Sequence, residues 1–352
     1  MNCPAEPCRH GTLSWGRVRA AGRFRKPSIP RVVFLAVGCS LFAYLLVRLG
    51  PSQILQLLLH IGWRFLLVLA IYPFFELARA AALKKCIGGE GWPYRDLLRI
   101  RVAGEAVEYL TFTGPFLAEP TKALLLRNRG LPPERAFSAT ISEYLMYSFT
   151  SAAMAIGGTI YLLHNFELSA SVTLVAYIVL SFAALLLAVP AVAIAGRIYL
   201  IGSIVNALRK APRIGKHVQV DQTTLRATED GIFSILRTRP LRFVAVLLLE
   251  FLAHGCLVLE LFVLLRSVGQ PVSLVAPVVI ESVTKFINLG FFFIPAQMGA
   301  AEGVYAAVFH ALGLPASAGF SVAFARRLRN LLVSGAGLAF LNALRRRSHP
   351  KS

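Results

Sequence analysis

"TFTGPFLAEPTKALLLRNRGLPPERAF" runs from Thr111 to Phe137 and sets Glu119 and Lys122 just behind a Gly114-Pro115 break in a strongly apolar chain. A second stretch, "FFIPAQMGAAEGVYAAVFHALGLPASAGF" from Phe292 to Phe320, repeats the pattern with Pro295, Gly299 and Glu302. A slide of 183 residues superimposes the two. Ala118, Glu119, Ala123, Gly130, Leu131, Pro132, Phe137, Ser138 and Leu145 then fall on Ala301, Glu302, Ala306, Gly313, Leu314, Pro315, Phe320, Ser321 and Leu328. Chance in so apolar an alphabet gives roughly two or three matches, so the chain is internally duplicated. The same register sets Glu143 against Arg326.

Hydrophobic residues make up 56% of the 352, mean hydropathy is +0.64 and 15% of residues are charged. That is the composition of a polytopic membrane protein rather than a soluble domain. A helical crossing takes about 20 residues. Runs of that order are Arg31–Leu49, Trp63–Leu83, Phe137–Leu163, Val172–Ala195, Phe243–Leu265 and Ser317–Leu344. Period-2 alternation is absent, which argues for helices against a β-barrel.

A net charge of +20 raises the question of nucleic acid. Its distribution answers it: 7 Lys and Arg lie in 1–31, 5 in 84–101, 4 in 122–135, 9 in 197–242 and 4 in 345–352. These occupy tails and connections, as cytoplasmic segments do under the positive-inside rule, where they also meet anionic lipid headgroups. No reader motif accompanies them, so no nucleic-acid partner is expected. The five cysteines fit neither a metal nor a disulfide pattern, and no P-loop or nucleophile motif appears. The expectation is a protein without catalytic residues, cofactor or metal. A basic tail, residues 1–30, before the first run marks that run as a permanent anchor rather than a cleaved signal.

Placing the basic connections in the cytoplasm fixes a topology. The first two crossings go out and return at Lys84-Lys85. Segment 101–129 starts and ends among positive charges, so it dips in and comes back. From Arg101 to the Thr113-Gly114-Pro115 break a helix rises about 15 Å, half the hydrocarbon thickness. Glu105 and Glu108 on that arm must face protein or water. The third crossing reaches an outer loop near His164, and the fourth returns to the basic loop 197–242. There Leu225, Ile232 and Leu236 share a helical face, the mark of an amphipathic surface helix. Segment 277–313, broken at Pro295, dips in from outside, although each arm is nearly long enough to span.

The expected fold is therefore an all-α polytopic membrane protein of two inverted repeats. Each has three crossings and one re-entrant hairpin (six crossings plus two hairpins, or eight helices). Residues 1–30 form a basic cytoplasmic tail, 31–165 the first repeat, 166–344 the second with its cytoplasmic loop 197–242, and 345–352 a second basic cytoplasmic tail. Three crossings per repeat is odd, so the repeats face opposite ways, as in secondary transporters.

On these residues the chain resembles the transmembrane region of lysylphosphatidylglycerol synthases and the stand-alone flippase-like proteins related to it. The resemblance covers about residues 31–344. A family motif of the form Pro-x-x-x-Gly-Glu-x-x-Arg reads here Pro115-Phe-Leu-Ala118-Glu119-Pro-Thr-Lys122, with alanine for glycine and lysine for arginine. Lysine is a point charge where arginine is a fork, which weakens a bidentate headgroup clamp. A Glu-Arg pair opening a crossing survives as Glu143 with Tyr144 beside it. The second half reads Pro295-Ala-Gln-Met-Gly299-Ala-Ala-Glu302, followed by Arg326-Arg327. The resemblance implies movement of a polar-headed lipid between leaflets of a bacterial cytoplasmic membrane. The 352 residues leave no room after the last run for the aminoacyl-transfer domain of the synthases, so lipid aminoacylation by this chain alone is not expected.

If the last crossing began after Arg329, its 15 residues would rise only about 22 Å. Part of the Arg326/Arg327/Arg329 cluster is therefore expected inside the membrane or in a water-filled dent reaching into it. There it is either paired with Glu302, with Arg326 favoured by the register, or receives a lipid phosphate. Glu143 is either interfacial or part of the site. Glu281 with Lys285, and Glu76 with Arg79, are spaced to pair on their own helices. His254 is read as a packed, hydrogen-bonded residue, and Glu250 and Glu260 find no local partner.

The expected binding residues are thus Glu119, Lys122, Glu143, Glu302, Arg326 and Arg327, with structural breaks at Gly114, Pro115, Pro295 and Gly299. Their partner is a lipid with an anionic or polar headgroup. The alternative is a membrane subunit that docks a lipid-biosynthetic or glycosyl-transfer enzyme through the 197–242 loop without moving lipid.

Single cysteines near Ala211 and Lys351 are expected to react with membrane-impermeant maleimide only from the cytoplasm, and one near Asn165 only from outside. External labelling at Ala211 would overturn the charge-derived topology, because the parity of the repeats depends on that loop.

Overall fold

The computed structural model describes residues 61–347 apart from 90, 112–113, 211–221, 271–272, 292–293, 295–296 and 298, together with Ser52, Gln56 and Leu59. The basic N-terminal tail, the run Arg31–Leu49, Pro295 and residues 348–352 lie outside the described residues. Among the described residues the chain forms α-helices and short helical turns, with no strand.

In chain order the helices are α1 (Phe65–Ile87), α2 (Tyr94–Leu110), α3 (Pro115–Arg127), α4 (Pro133–Asn165), α5 (Ala170–Gly196) and α6 (Leu200–Lys210). They continue as α7 (Gln222–Phe233), α8 (Pro240–Ser267), α9 (Val275–Gly290), α10 (Ala300–Ala311) and α11 (Ala316–Arg347). The spans Gly62–Ile87, Pro133–Asn165, Val172–Gly196 and Pro240–Ser267 are long and apolar enough to cross a membrane. Helix α11 has 32 residues and no interruption. At about 48 Å it exceeds the hydrocarbon core. Arg326, Arg327 and Arg329 sit within it rather than before it.

Both quoted stretches contain a helix break followed by a new helix. Gly114 has φ 51° and ψ −128°, a conformation open to glycine and hostile to a side chain, and Pro115 then opens α3. Gly299 has φ 79° and precedes α10. Helix α2 starts behind Pro93 rather than at Arg101, so with 17 residues it rises about 25 Å instead of the expected 15 Å.

The 183-residue register carries α2 onto α9, α3 onto α10 and α4 onto α11. Contacts follow the same correspondence. Helix α2 packs along α11 and α9 along α4, while α1 packs along α8. Small residues permit the close crossings, as they do between membrane helices generally. A methyl group at Gly337 of α11 would run into the Val102 carbonyl of α2, and one at Gly158 of α4 into Ser282 of α9. Their neighbours Gly335 and Gly157 face open space.

The loop 197–242 contains α6, α7 and a π turn over Ser234–Thr238. Helix α7 buries Leu225 and Ile232 and packs on α4; Leu236 lies beyond its end and its side chain outside the described residues. Glu229 of α7 accepts hydrogen bonds from the Ile201 and Gly202 amides at 2.8 and 3.3 Å, satisfying free donors at the start of α6. Burial raises the Glu229 carboxyl pKa above its ordinary value, against the lowering effect of those amides.

Among the described residues two large apolar cores form, with two smaller clusters beside them. One gathers Leu83, Leu97, Leu126, Met146 and Val246; the other gathers Val68, Leu261, Ile280, Phe309 and Val322. Helices α1, α8 and α11 each contribute to both cores. Between those contributions they carry Glu76 and Arg79, Glu250 and Glu260, and Arg326 to Arg329. A band of charge thus crosses the bundle midway along its long helices.

Gly337→Ala is expected to lower the melting temperature of purified protein by the equivalent of about 1–3 kcal/mol of overpacking. Gly335→Ala, one residue pair away and facing open space, should leave it unchanged or raise it. Equal behaviour of the two would refute the close α2–α11 crossing.

Candidate functional site

Glu143 of α4 has 0% exposure and stands at the meeting point of three cations. Arg79 of α1 approaches it at 2.8 Å, Arg101 of α2 at 2.7 Å and Lys122 of α3 at 3.3 Å. Lys122 reaches this far in because its stem lies over Gly104, where any Cβ would collide with it. Each cation then continues to a second carboxylate: Arg79 to Glu250 at 3.3 Å, Arg101 to Glu76 at 3.1 Å and Lys122 to Glu119 at 2.6 Å. Tyr72 donates to Glu105 beside this network.

The equivalent position in the second half holds the opposite charge. Arg326 is ringed by Glu281 at 2.6 Å, Glu260 at 3.1 Å, the Tyr305 hydroxyl at 2.5 Å and the Leu257 carbonyl at 2.8 Å. Lys122 and Tyr305 are themselves equivalent under the register, and each reaches its own hub. Glu281 also holds Lys285 at 2.7 Å, and Glu260 also holds Arg329. Glu76, Arg79, Glu143, Glu250 and Glu260 lie in helices apolar enough to cross a membrane. Unsupported charge there costs about 2.5–3.5 kcal/mol per residue on insertion scales, so pairing of this extent is what allows it to persist.

The expected pair Glu281–Lys285 is formed, and His254 is packed as expected, stacked on Tyr147 with ring centroids 5.0 Å apart and 3.0 Å from the Thr150 hydroxyl. Two expected pairings are corrected. Glu302 pairs with Arg327 at 2.6 Å rather than with Arg326, because successive residues on a helix point about 100° apart. Arg326 therefore faces α8 and α9, where Glu260 and Glu281 wait. Glu76 and Arg79 do not neutralise each other: Arg79 turns to α4 and α8, and Glu76 receives Arg101 from α2. Glu250 and Glu260, which had no local partner, find theirs across helices. Glu302 also accepts from the Gly299 amide at 3.1 Å and so caps α10.

A cavity of about 140 Å³ lies where the two halves meet, and a second of about 100 Å³ adjoins it. The first is lined from the N-terminal half by Arg79, Arg101, Glu105 and Glu108, and from the C-terminal half by Lys285 and Arg329. Tyr72, Tyr109, Tyr144 and Tyr147 supply aromatic walls, and Gly114 and Pro115 bring the first break to the rim. Arg79 lies over the Tyr147 ring at 3.6 Å and Arg329 over Tyr72 at 4.0 Å, which holds both guanidinium planes in place. Lys285 and Arg329 line both cavities, and Arg326 and Arg327 line the second.

Of the expected binding residues, Arg326 and Arg327 therefore border a cavity. Glu119, Lys122, Glu143 and Glu302 stand behind the wall as partners of wall residues or of one another. The wall cations Arg79, Arg101 and Lys285 were read as paired or flanking charges. The available signal is that each shares its helix with carboxylates that other helices claim: Glu76 beside Arg79, Glu105 beside Arg101 and Glu281 beside Lys285.

Glu143→Gln is expected to leave Arg79, Arg101 and Lys122 crowded without their common anion. Breaking a buried charge network in this way costs about 3–5 kcal/mol, read as a large fall in melting temperature in detergent. Adding Lys122→Met should recover part of the loss. No change on Glu143→Gln would refute Glu143 as the hub.

Residues 31–337 match the family model described as lysylphosphatidylglycerol synthase TM region. No curated protein and no solved structure matches the chain.

Proposed function

The chain belongs to the lysylphosphatidylglycerol synthase transmembrane-region family, and on that premise we propose that it moves a polar-headed lipid between membrane leaflets. The family is the non-catalytic membrane part of the synthase-like proteins, and the chain is an integral membrane protein with helices fit to cross. The carrying observation is the cavity between the halves, walled by Arg79, Arg101, Lys285 and Arg329 at the depth of the charge band.

Guanidinium and ammonium groups at fixed positions suit the phosphate of a lipid headgroup, while the tails stay in the surrounding bilayer. On this reading the two halves are inverted repeats and α2/α3 and α9/α10 are broken helical arms from opposite faces. The cavity then lies where such repeats meet near the midplane. The proposed orientation keeps both termini in the cytoplasm of a bacterial inner membrane. Glu143 and Glu302 act in this proposal by holding the wall cations Arg79, Arg101 and Arg327, Lys122 and Glu119 by supporting Glu143, and Arg326 and Arg327 by bordering the lipid path. With charges swapped between Glu143 and Arg326, the two hubs let either half release a cation to a passing phosphate and take it back afterwards. The enzyme-docking alternative gains no specific observation.

Reconstituted protein is expected to move a fluorescent anionic phospholipid across liposome leaflets, measured by dithionite quenching. Lys285→Gln should slow that movement about ten-fold or more, the equivalent of one charge-assisted hydrogen bond. Its fold should hold, because Glu281 keeps Arg326 as partner. Arg127→Gln, on an exposed position of α3, should behave as wild type. Wild-type rates for both Lys285→Gln and Arg329→Gln would eliminate the cavity as the lipid path.

A further inference from the structure

Helix α5 packs along α4 but stands off from α8, and the wedge between α5 and α8 is a cavity of about 600 Å³ floored by α4. Its walls are apolar: Phe149 on the floor, Leu187 and Ile194 on one side, Phe243, Leu247 and Phe251 on the other. Arg237 stands at its mouth, where α5 ends at Gly196 and α8 begins at Pro240. Arg237 donates through one nitrogen to the Ala195 carbonyl at 3.1 Å and to the Ile194 carbonyl at 3.5 Å. Those bonds fix an exposed guanidinium over an apolar slot, with Arg239 two residues further on. None of these residues belongs to the central charge network.

We propose that this wedge is a second lipid site, holding one acyl chain of a resident anionic phospholipid whose phosphate sits against Arg237. The dimensions favour a chain over a partner helix. From Ala195 back to Leu187, and from Phe243 on to Phe251, the slot runs eight residues, about 12 Å. That is close to the depth of one leaflet, half of a core about 30 Å thick. A partner helix needs a groove continuing across both leaflets. Apolar burial holds the chain, and the cation at headgroup level selects the anionic phosphate, the arrangement expected of basic pockets between membrane helices. The slot also touches the core: Thr150 borders it and hydrogen-bonds His254, which stacks on Tyr147 of the central cavity wall.

Delipidated protein is titrated with phosphatidylglycerol and, separately, phosphatidylcholine of the same chains, and bound lipid is counted by native mass spectrometry. Wild type is expected to retain one phosphatidylglycerol about ten-fold more tightly than phosphatidylcholine. Arg237→Gln/Arg239→Gln should erase that preference. Ala153→Trp, which fills the slot from an exposed position, should abolish retention of both lipids without lowering the melting temperature. Lys285→Gln should keep the retained lipid, which separates this site from the transport path whatever the transport assay returns. The proposal is overturned if wild type binds both lipids equally or if retention survives Ala153→Trp. It is overturned equally if wild type is a dimer that Ala153→Trp dissociates, since a second copy would then fill the wedge.

Discussion

A carboxylate with no exposure to solvent, Glu143, is shared by Arg79, Arg101 and Lys122, and the arrangement of the N-terminal half follows from that one requirement. Each cation comes from a different helix, so α1, α2 and α3 must all converge on α4 at one level. The break at Gly114 is part of the same constraint, because a continuous helix from Tyr94 to Arg127 could not present Arg101 and Lys122 to one point. Glycine at 104 then supplies the room that the lysine stem needs. Remove the anion and three cations repel one another in a medium that screens them poorly.

The second half solves the same problem with the signs exchanged. Arg326 takes the place of Glu143, and the surrounding groups become Glu260, Glu281 and the Tyr305 hydroxyl. A duplicated chain with two identical hubs would bring like charges to the centre of one bundle. Opposite hubs keep the band near balance and allow α1 to lie along α8 and each half's last helix to receive the other half's first arm. Balance is local, however, and not uniform. Glu250 meets only Arg79, which Glu143 holds more closely, and its oxygens lack hydrogen bonds among the described residues. The network therefore has loose ends at the junction of the halves, where the cavity lies.

Much of this was legible in the sequence, and what escaped did so for a definable reason. The four spans between Gly62 and Ser267 follow from apolar length alone, and the breaks at Gly114 and Gly299 from the chemistry of the backbone. The placement of the α11 arginines inside their helix rather than before it follows from arithmetic on helix rise. Pairings were legible only where both partners share a helix at favourable spacing, as Glu281 and Lys285 do. Glu76 and Arg79 have such a spacing too, yet each finds a nearer partner on another helix, and nothing in one-dimensional spacing ranks those choices. Arg101 is the sharpest case. It reads as a basic flank to the first break, yet α2 begins seven residues earlier and carries it to the centre.

The separation between hub and wall bears on how such a site works. Glu119, Lys122, Glu143 and Glu302 carry the resemblance to the family, yet they do not border the cavities. Arg79 and Arg101 link the two layers, since each touches Glu143 on one side and the cavity on the other. On the proposed function, a headgroup phosphate arriving at Arg79 would compete with Glu143 and Glu250 for the same guanidinium, and its gain would be a difference between pairings rather than a whole ion pair. Differences of that kind are small. If the proposed lipid transport holds, a site of this construction would bind its lipid weakly enough to let it go, which is what a carrier between two leaflets of similar chemistry requires.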